Sequence, residues 1–142
     1  MGDFWSLEPE VAGALGDGSV VDVTVHPPLV TKLQYSMMGW LGDDLLETFP
    51  CYIATERLAD ELLAERLTGF QLGTVDVVVT DQFTELYPGL KLPGFRWLRV
   101  SGEAGTADFG ISKGLMLVVS DAALHVLKRS TLANCGIEAY EG

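Results

Sequence analysis

Twice the sequence runs from a short apolar stretch through a hydroxyl and an acid into an amphipathic helix. The first passage is Tyr52, Ile53, Ala54, Thr55, Glu56 and the second is Leu117, Val118, Val119, Ser120, Asp121. Such a passage leaves the chain little freedom. A strand must end at the hydroxyl, which caps the helix by accepting from a free N–H of the first turn, while the acid sits where the helix dipole favours negative charge. On a 100° wheel the first helix, residues 56–67, puts Leu58, Ala59, Leu62, Leu63 and Leu67 on one side. Arg57, Asp60, Glu61 and Glu65 take the other side; Arg66 falls among the leucines and has to snorkel, and Gly69 is the expected left-handed stop. The second helix, residues 121–129, buries Ala123, Leu124, Val126 and Leu127. Each helix leads through a turn into another strand. The device recurs, although the residues have diverged too far to be called a sequence repeat.

Alternation and turn residues place the other elements. Strands are expected at residues 4–7, 20–25, 29–38, 51–54, 70–72 with 75–80, 95–100, 111–119 and 135–140. Within residues 29–38, Leu33, Tyr35 and Met37 share the buried face. Short helical pieces are expected at residues 9–15, 43–50 and 81–86, with the middle one ended by Pro50. His26-Pro27-Pro28 interrupts the strands as an extended turn, because proline cannot donate to a ladder. The expected fold is therefore α+β. It is a single domain over residues 1–142, with a mainly antiparallel sheet of about six strands and two main amphipathic helices.

With 142 residues, 48% hydrophobic and only 20% charged, the chain can bury a core of its own and is not a disordered segment. No apolar run approaches the roughly 18 residues of a membrane span. The start has neither a basic region nor an apolar region of a secretory leader, although Gly2 followed by Ser6 fits the short myristoylation pattern. Cys51 and Cys135 read as reduced thiols, in keeping with a cytoplasmic protein. The net charge of −11 argues against nucleic acid or an anionic membrane as partner and suits a basic protein.

Catalytic signatures are sparse. His26 lies in the proline turn and His125 on the polar side of the second helix, neither in a nucleophile, triad or metal pattern. None of the sixteen glycines falls into a phosphate-binding loop motif. Asp43, Asp44 and Glu47 offer oxygens to a divalent cation, so a metal-dependent enzyme using them, with His26 nearby, is one alternative. A small-ligand module built on Trp40, Trp97 and Tyr35 is another. No cofactor is expected. Acidity is concentrated: between residues 43 and 65 lie Asp43, Asp44, Glu47, Glu56, Asp60, Glu61 and Glu65 against one base, Arg57. Beside an aromatic such as Trp40, that segment makes a docking surface for a cationic protein, the expected contacts being Trp40, Asp43, Asp44, Glu47, Asp60, Glu61 and Glu65.

Five stretches carry a family likeness: WLGDDLLETFPCYIATERL (40–58), FRWLRVSGEAG (95–105), DFGI (108–111), LVVSDAAL (117–124) and LANCGIEAY (132–140). Together they resemble small bacterial proteins grouped with the immunity proteins of polymorphic toxin systems. The resemblance spans most of residues 30–140. It implies a cytoplasmic protein that binds one cognate toxin and blocks its active site or substrate access. Such toxins are often basic nucleases or nucleobase deaminases, against which an acidic inhibitor is electrostatically matched. It carries no catalytic residues across.

Overall fold

The computed structural model describes residues 3–141; Gly2, and with it the myristoylation pattern, lies outside the described residues. In chain order the elements are β1 (Phe4–Glu8), β2 (Gly13–Leu15), β3 (Val20–Asp22), β4 (Leu29–Lys32), β5 (Gln34–Met37), β6 (Leu45–Thr48), β7 (Cys51–Thr55) and α1 (Glu56–Ala64). There follow β8 (Phe70–Gly73), β9 (Asp76–Val79), α2 (Asp81–Leu86), β10 (Phe95–Val100), β11 (Phe109–Ile111), β12 (Leu117–Ser120), α3 (Asp121–Lys128) and β13 (Gly136–Ala139). The fold is α+β and mostly sheet. The expected single sheet of about six strands is instead thirteen short strands in four sheets, ordered β11-β12-β1-β13, β6-β7-β10-β8, β2-β5-β9 and β3-β4. Among the described residues the strands pair antiparallel except β5 with β9, and the isolated bridges Glu10–Leu46 and Glu103–Ile111 are parallel.

The two four-stranded sheets are copies of one another. Each begins at an aspartate, Asp44 or Asp108, and runs hairpin, hydroxyl cap, helix, turn and outer strand. In each, a strand from elsewhere in the chain inserts between the second and last strands, β10 in one and the N-terminal β1 in the other. The registers agree: Leu98 lies between Tyr52 and Leu72, and Leu7 lies between Leu117 and Ile137. The strand–cap–helix echo in the sequence is thus the visible part of a structural duplication.

Why the copies lock together follows from their caps. Thr55 Oγ1 accepts from Leu58 N and donates to Asp44 Oδ1 at 2.7 Å, and Ser120 Oγ accepts from Ala123 N and donates to Asp108 Oδ1 at 2.7 Å. The second oxygen of each aspartate reaches the other copy. Asp44 Oδ2 accepts from Thr131 N, just beyond α3, at 2.7 Å; Asp108 Oδ2 accepts from Thr68 N, just beyond α1, at 2.8 Å. Each helix start is thereby fastened to the loop after the other helix, so neither unit closes alone. Both sheets and both helices share one core containing Leu7, Leu45, Leu58, Leu62, Leu98, Phe109, Leu117 and Leu127. Burial of each such side chain is worth about 1.5–3 kcal/mol.

A second core, with Tyr35, Met37, Leu46, Ile53, Phe83, Phe95 and Trp97, covers the opposite face of β7 and β10. The β2-β5-β9 sheet and α2 form this extra layer. It explains why every residue of β7 is buried.

Several local expectations are overturned. Residues 9–15 hold no helix: Glu10 bridges Leu46 and the chain continues into β2, because Gly13 must pass against the Ser36 carbonyl, where no side chain fits. The segment 43–50 holds β6 and no helical turn, since Leu45 and Leu46 must face opposite cores. Residues 29–38 split at Leu33 into β4 and β5, and 111–119 is no single strand but the end of β11, a turn and most of β12. The first helix stops at Ala64, three residues early; Arg66 adopts a left-handed φ of 55° outside it, and Leu63 is exposed.

Candidate functional site

The acidic aromatic segment singled out in the sequence is a loop held by many hydrogen bonds. Residues 39–44 link β5 to β6. The buried Glu10 carboxylate receives Leu41 N at 2.7 Å and Asp43 N at 3.3 Å. Trp40 donates its indole N–H to Asp43 O at 2.9 Å and sets its ring edge-on to Phe95, 6.2 Å between centroids. Asp43 is fully buried and accepts from both the backbone N and the Nδ2 of Asn134. Asp44 accepts from Thr55, Thr131 and Arg57, the last at 2.7 Å. A buried carboxylate with this many donors is a structural fastener, and breaking it leaves several buried groups unpaired.

Asp43 and Asp44 are therefore closed to a partner and to a metal ion. Glu47 is half-buried; burial first, and then the nearby Glu8 carboxylate, push its carboxyl above the ordinary range. Among the described residues no group of three or more His, Cys, Asp or Glu could hold a metal ion. The aromatic trio is not gathered either. Tyr35 is wholly buried, its hydroxyl accepting from Ala12 N and donating to Glu47 O, and burial pushes it up to about 12. Trp40 packs beside Phe95 and stays half-buried, whereas Trp97, only 7% exposed, lines two separate hollows. The thiols are both free; burial raises Cys51 to about 12 and Cys135 to about 11, which leaves them protonated and unreactive at neutral pH.

What this bracing presents is apolar. Leu41 is 68% exposed, Val11 66% and Met38 41%. Backbone bonds bring the three together: Met38 N and Gly39 N both donate to Ala12 O, and Leu41 N donates to Glu10. Arg57, joined to Asp44, connects this knuckle to the outer face of α1. There Asp60 and Glu65 are exposed and Glu61 is half-buried; Glu65 meets Arg129 at 2.7 Å. The structure thus keeps Asp60, Glu61 and Glu65 on one accessible face, moves Asp43 and Asp44 inside, and brings forward Leu41, Val11 and Met38. Sequence reasoning missed these three because exposed apolar residues in short strands and turns look like ordinary core candidates. No protein-family model matches the chain, and no curated protein matches it.

Proposed function

We propose that the chain is an immunity-type inhibitor, a protein that binds a cognate bacterial toxin in the cytoplasm and blocks it, using the Leu41 knuckle and the adjoining acidic face of α1. The observation that carries this reading is the exposure of Leu41, Val11 and Met38 on a hydrogen-bonded base, together with an outer helix face bearing Asp60, Glu61 and Glu65. Exposed apolar residues rimmed by charge are a common form of protein-binding surface. A pre-braced loop loses little conformational entropy on docking, so more of its contact energy becomes affinity. The acids add steering toward a basic partner, such as a nuclease or nucleobase deaminase with a cationic substrate channel.

The test is co-expression with basic nuclease and nucleobase-deaminase toxins, followed by kinetics at two salt concentrations. A complex is expected whose on-rate falls as salt rises, with Leu41→Asp accelerating dissociation and an Asp60→Lys, Glu61→Lys pair slowing association. Absence of a complex at low salt sinks the reading. A complex indifferent to all three substitutions moves the interface elsewhere.

A further inference from the structure

At the far end of β6 from the Leu41 knuckle, residues of β4 and β10 together line two neighbouring spaces. One is a cavity of about 280 Å³ walled by Leu29, Phe49, Tyr52, Val100, Ile111 and Leu115, among others. The other is a hollow of about 490 Å³ running past Thr31, Lys32, Gly73, Thr74 and Asp76, whose carboxylate accepts from Gln34 Nε2 at 2.7 Å. Trp97 and Arg99 border both.

Arg99 is the only charged side chain lining the apolar cavity. The two ion pairs among the described residues use Arg57 and Arg129; Arg99 makes none, and the carboxylate of Asp76 shares only the second hollow with it. Arg99 is held nonetheless, its guanidinium carbon 4.5 Å from the centre of the Trp97 ring. Gly73 pairs with Trp97 across the sheet and lines the second hollow; a side-chain carbon there would rest in ordinary contact, 3.4 Å from Arg99 Cδ and 3.6 Å from the Trp97 ring. A cation fixed at the edge of an apolar cavity, in a chain of net charge −11, is the arrangement that receives an anion attached to a hydrophobic body.

We infer that this cleft binds a small apolar carboxylic acid, its hydrocarbon or aryl part among Leu29, Phe49, Tyr52 and Ile111 and its carboxylate on the guanidinium fork of Arg99. The volume lies at the small end for ligand pockets, which favours a free acid over a peptide tail. Carboxylate recognition by arginine is bidentate, so a neutral isostere loses both bonds.

Calorimetric titration with 4-phenylbutyrate, beside its neutral isostere 4-phenylbutanol, tests this. The acid is expected to bind saturably with Kd below about 1 mM and the alcohol at least about tenfold more weakly. Arg99→Gln, at an exposed position that leaves folding intact, should weaken the acid to the level of the alcohol, and Leu29→Trp should abolish both by filling the mouth. No saturable binding, equal binding of acid and alcohol, or an Arg99→Gln protein that binds the acid as well as the parent overturns the assignment. Tighter binding of acetyl-Leu-Leu than of 4-phenylbutyrate overturns it in favour of a peptide carboxyl end.

Discussion

The unit built on β6, β7 and α1 and the unit built on β11, β12 and α3 have the same strand order, cap chemistry and inner-face register, yet they occupy different layers of the molecule. Toward the shared core four matched positions are equally apolar, Leu45 with Phe109, Ala54 with Val119, Leu98 with Leu7 and Leu62 with Leu127, while Glu47 with Ile111 is an exception. On the opposite faces they part. Leu46, Ile53 and Trp97 in the first unit correspond to Gly110, Val118 and Ser6 in the second. The large set holds the second core and the extra sheet; the small set needs only the loop after β10, where Gly110 packs on Glu103 and Ala104. One device thus serves as a middle layer or as an outer layer according to three side chains. The knuckle and the cleft both lie against the middle-layer copy.

Truncation at the matched pair Ile53 and Val118 gives the largest expected contrast. Both are fully buried. Ile53→Ala should cost about 4 kcal/mol and Val118→Ala about 2, since the first opens a void between two packed layers and the second beneath a loop that can settle. Urea denaturation measures both, and equal losses would show that the outer copy is packed as tightly as the inner.

Next comes the aspartate pair. Asp44→Ala strips Thr55, Thr131 and Arg57 of their acceptor and should cost about 3 kcal/mol; Asp108→Ala strips Ser120 and Thr68 in a more exposed setting and should cost about 2. Because each aspartate ties one unit to the other, the double variant should depart from additivity. Strict additivity would mean that the two fasteners work independently.

These residues mark the limit of what a sequence discloses. The caps Thr55 and Ser120 and the apolar sides of both helices were readable because helix period and cap chemistry are local. The carboxylates that complete those caps come from hairpin starts, and their second oxygens bind loops 87 and 40 residues away in the chain. Asp43 and Asp44, read as surface acids, were drawn inside by those donors. The strand breaks at Leu33 and between β11 and β12 were hidden for a similar reason, since a long alternating run does not reveal that its two ends belong to different pairings. Arg99 gave no local sign of the cavity, whose walls come from five separate stretches.

Position 47 separates the copies by pH. Glu47 and Ile111 fill the same place in their hairpins, opposite Tyr52 and Leu117. Burial and Glu8 raise the Glu47 carboxyl above 4.5, so its contribution is present below that pH and is lost as pH rises through the folded value. Asp108 has the opposite sign. Burial alone would raise it, but hydrogen bonds from Ser120 and Thr68 hold it below 3.8, so its contribution is present above that pH and is lost as the solution is acidified. Glu47→Gln should therefore raise stability at pH 7 with little change at pH 4. Asp108→Asn should lower it at pH 7 and flatten the acid limb. Urea melts from pH 3 to 7 decide it, and parallel curves for either variant would remove that residue from the account.

The smallest effect is expected where the two helices touch through solvent. Arg129 and Glu65 lie 2.7 Å apart with about half of each side chain exposed, at 45% and 48%. Screening and side-chain entropy reduce such a pair, so Arg129→Ala should cost less than about 0.5 kcal/mol. The aspartate ties, buried at Asp44 and half-buried at Asp108, span the same two units as this surface pair, which makes them a controlled contrast between shielded and solvent-exposed fastening. The expected ratio is several-fold. A loss at Arg129 comparable to that at Asp108 would place much of the cohesion between the copies on the helix surface, and high salt should then loosen them measurably.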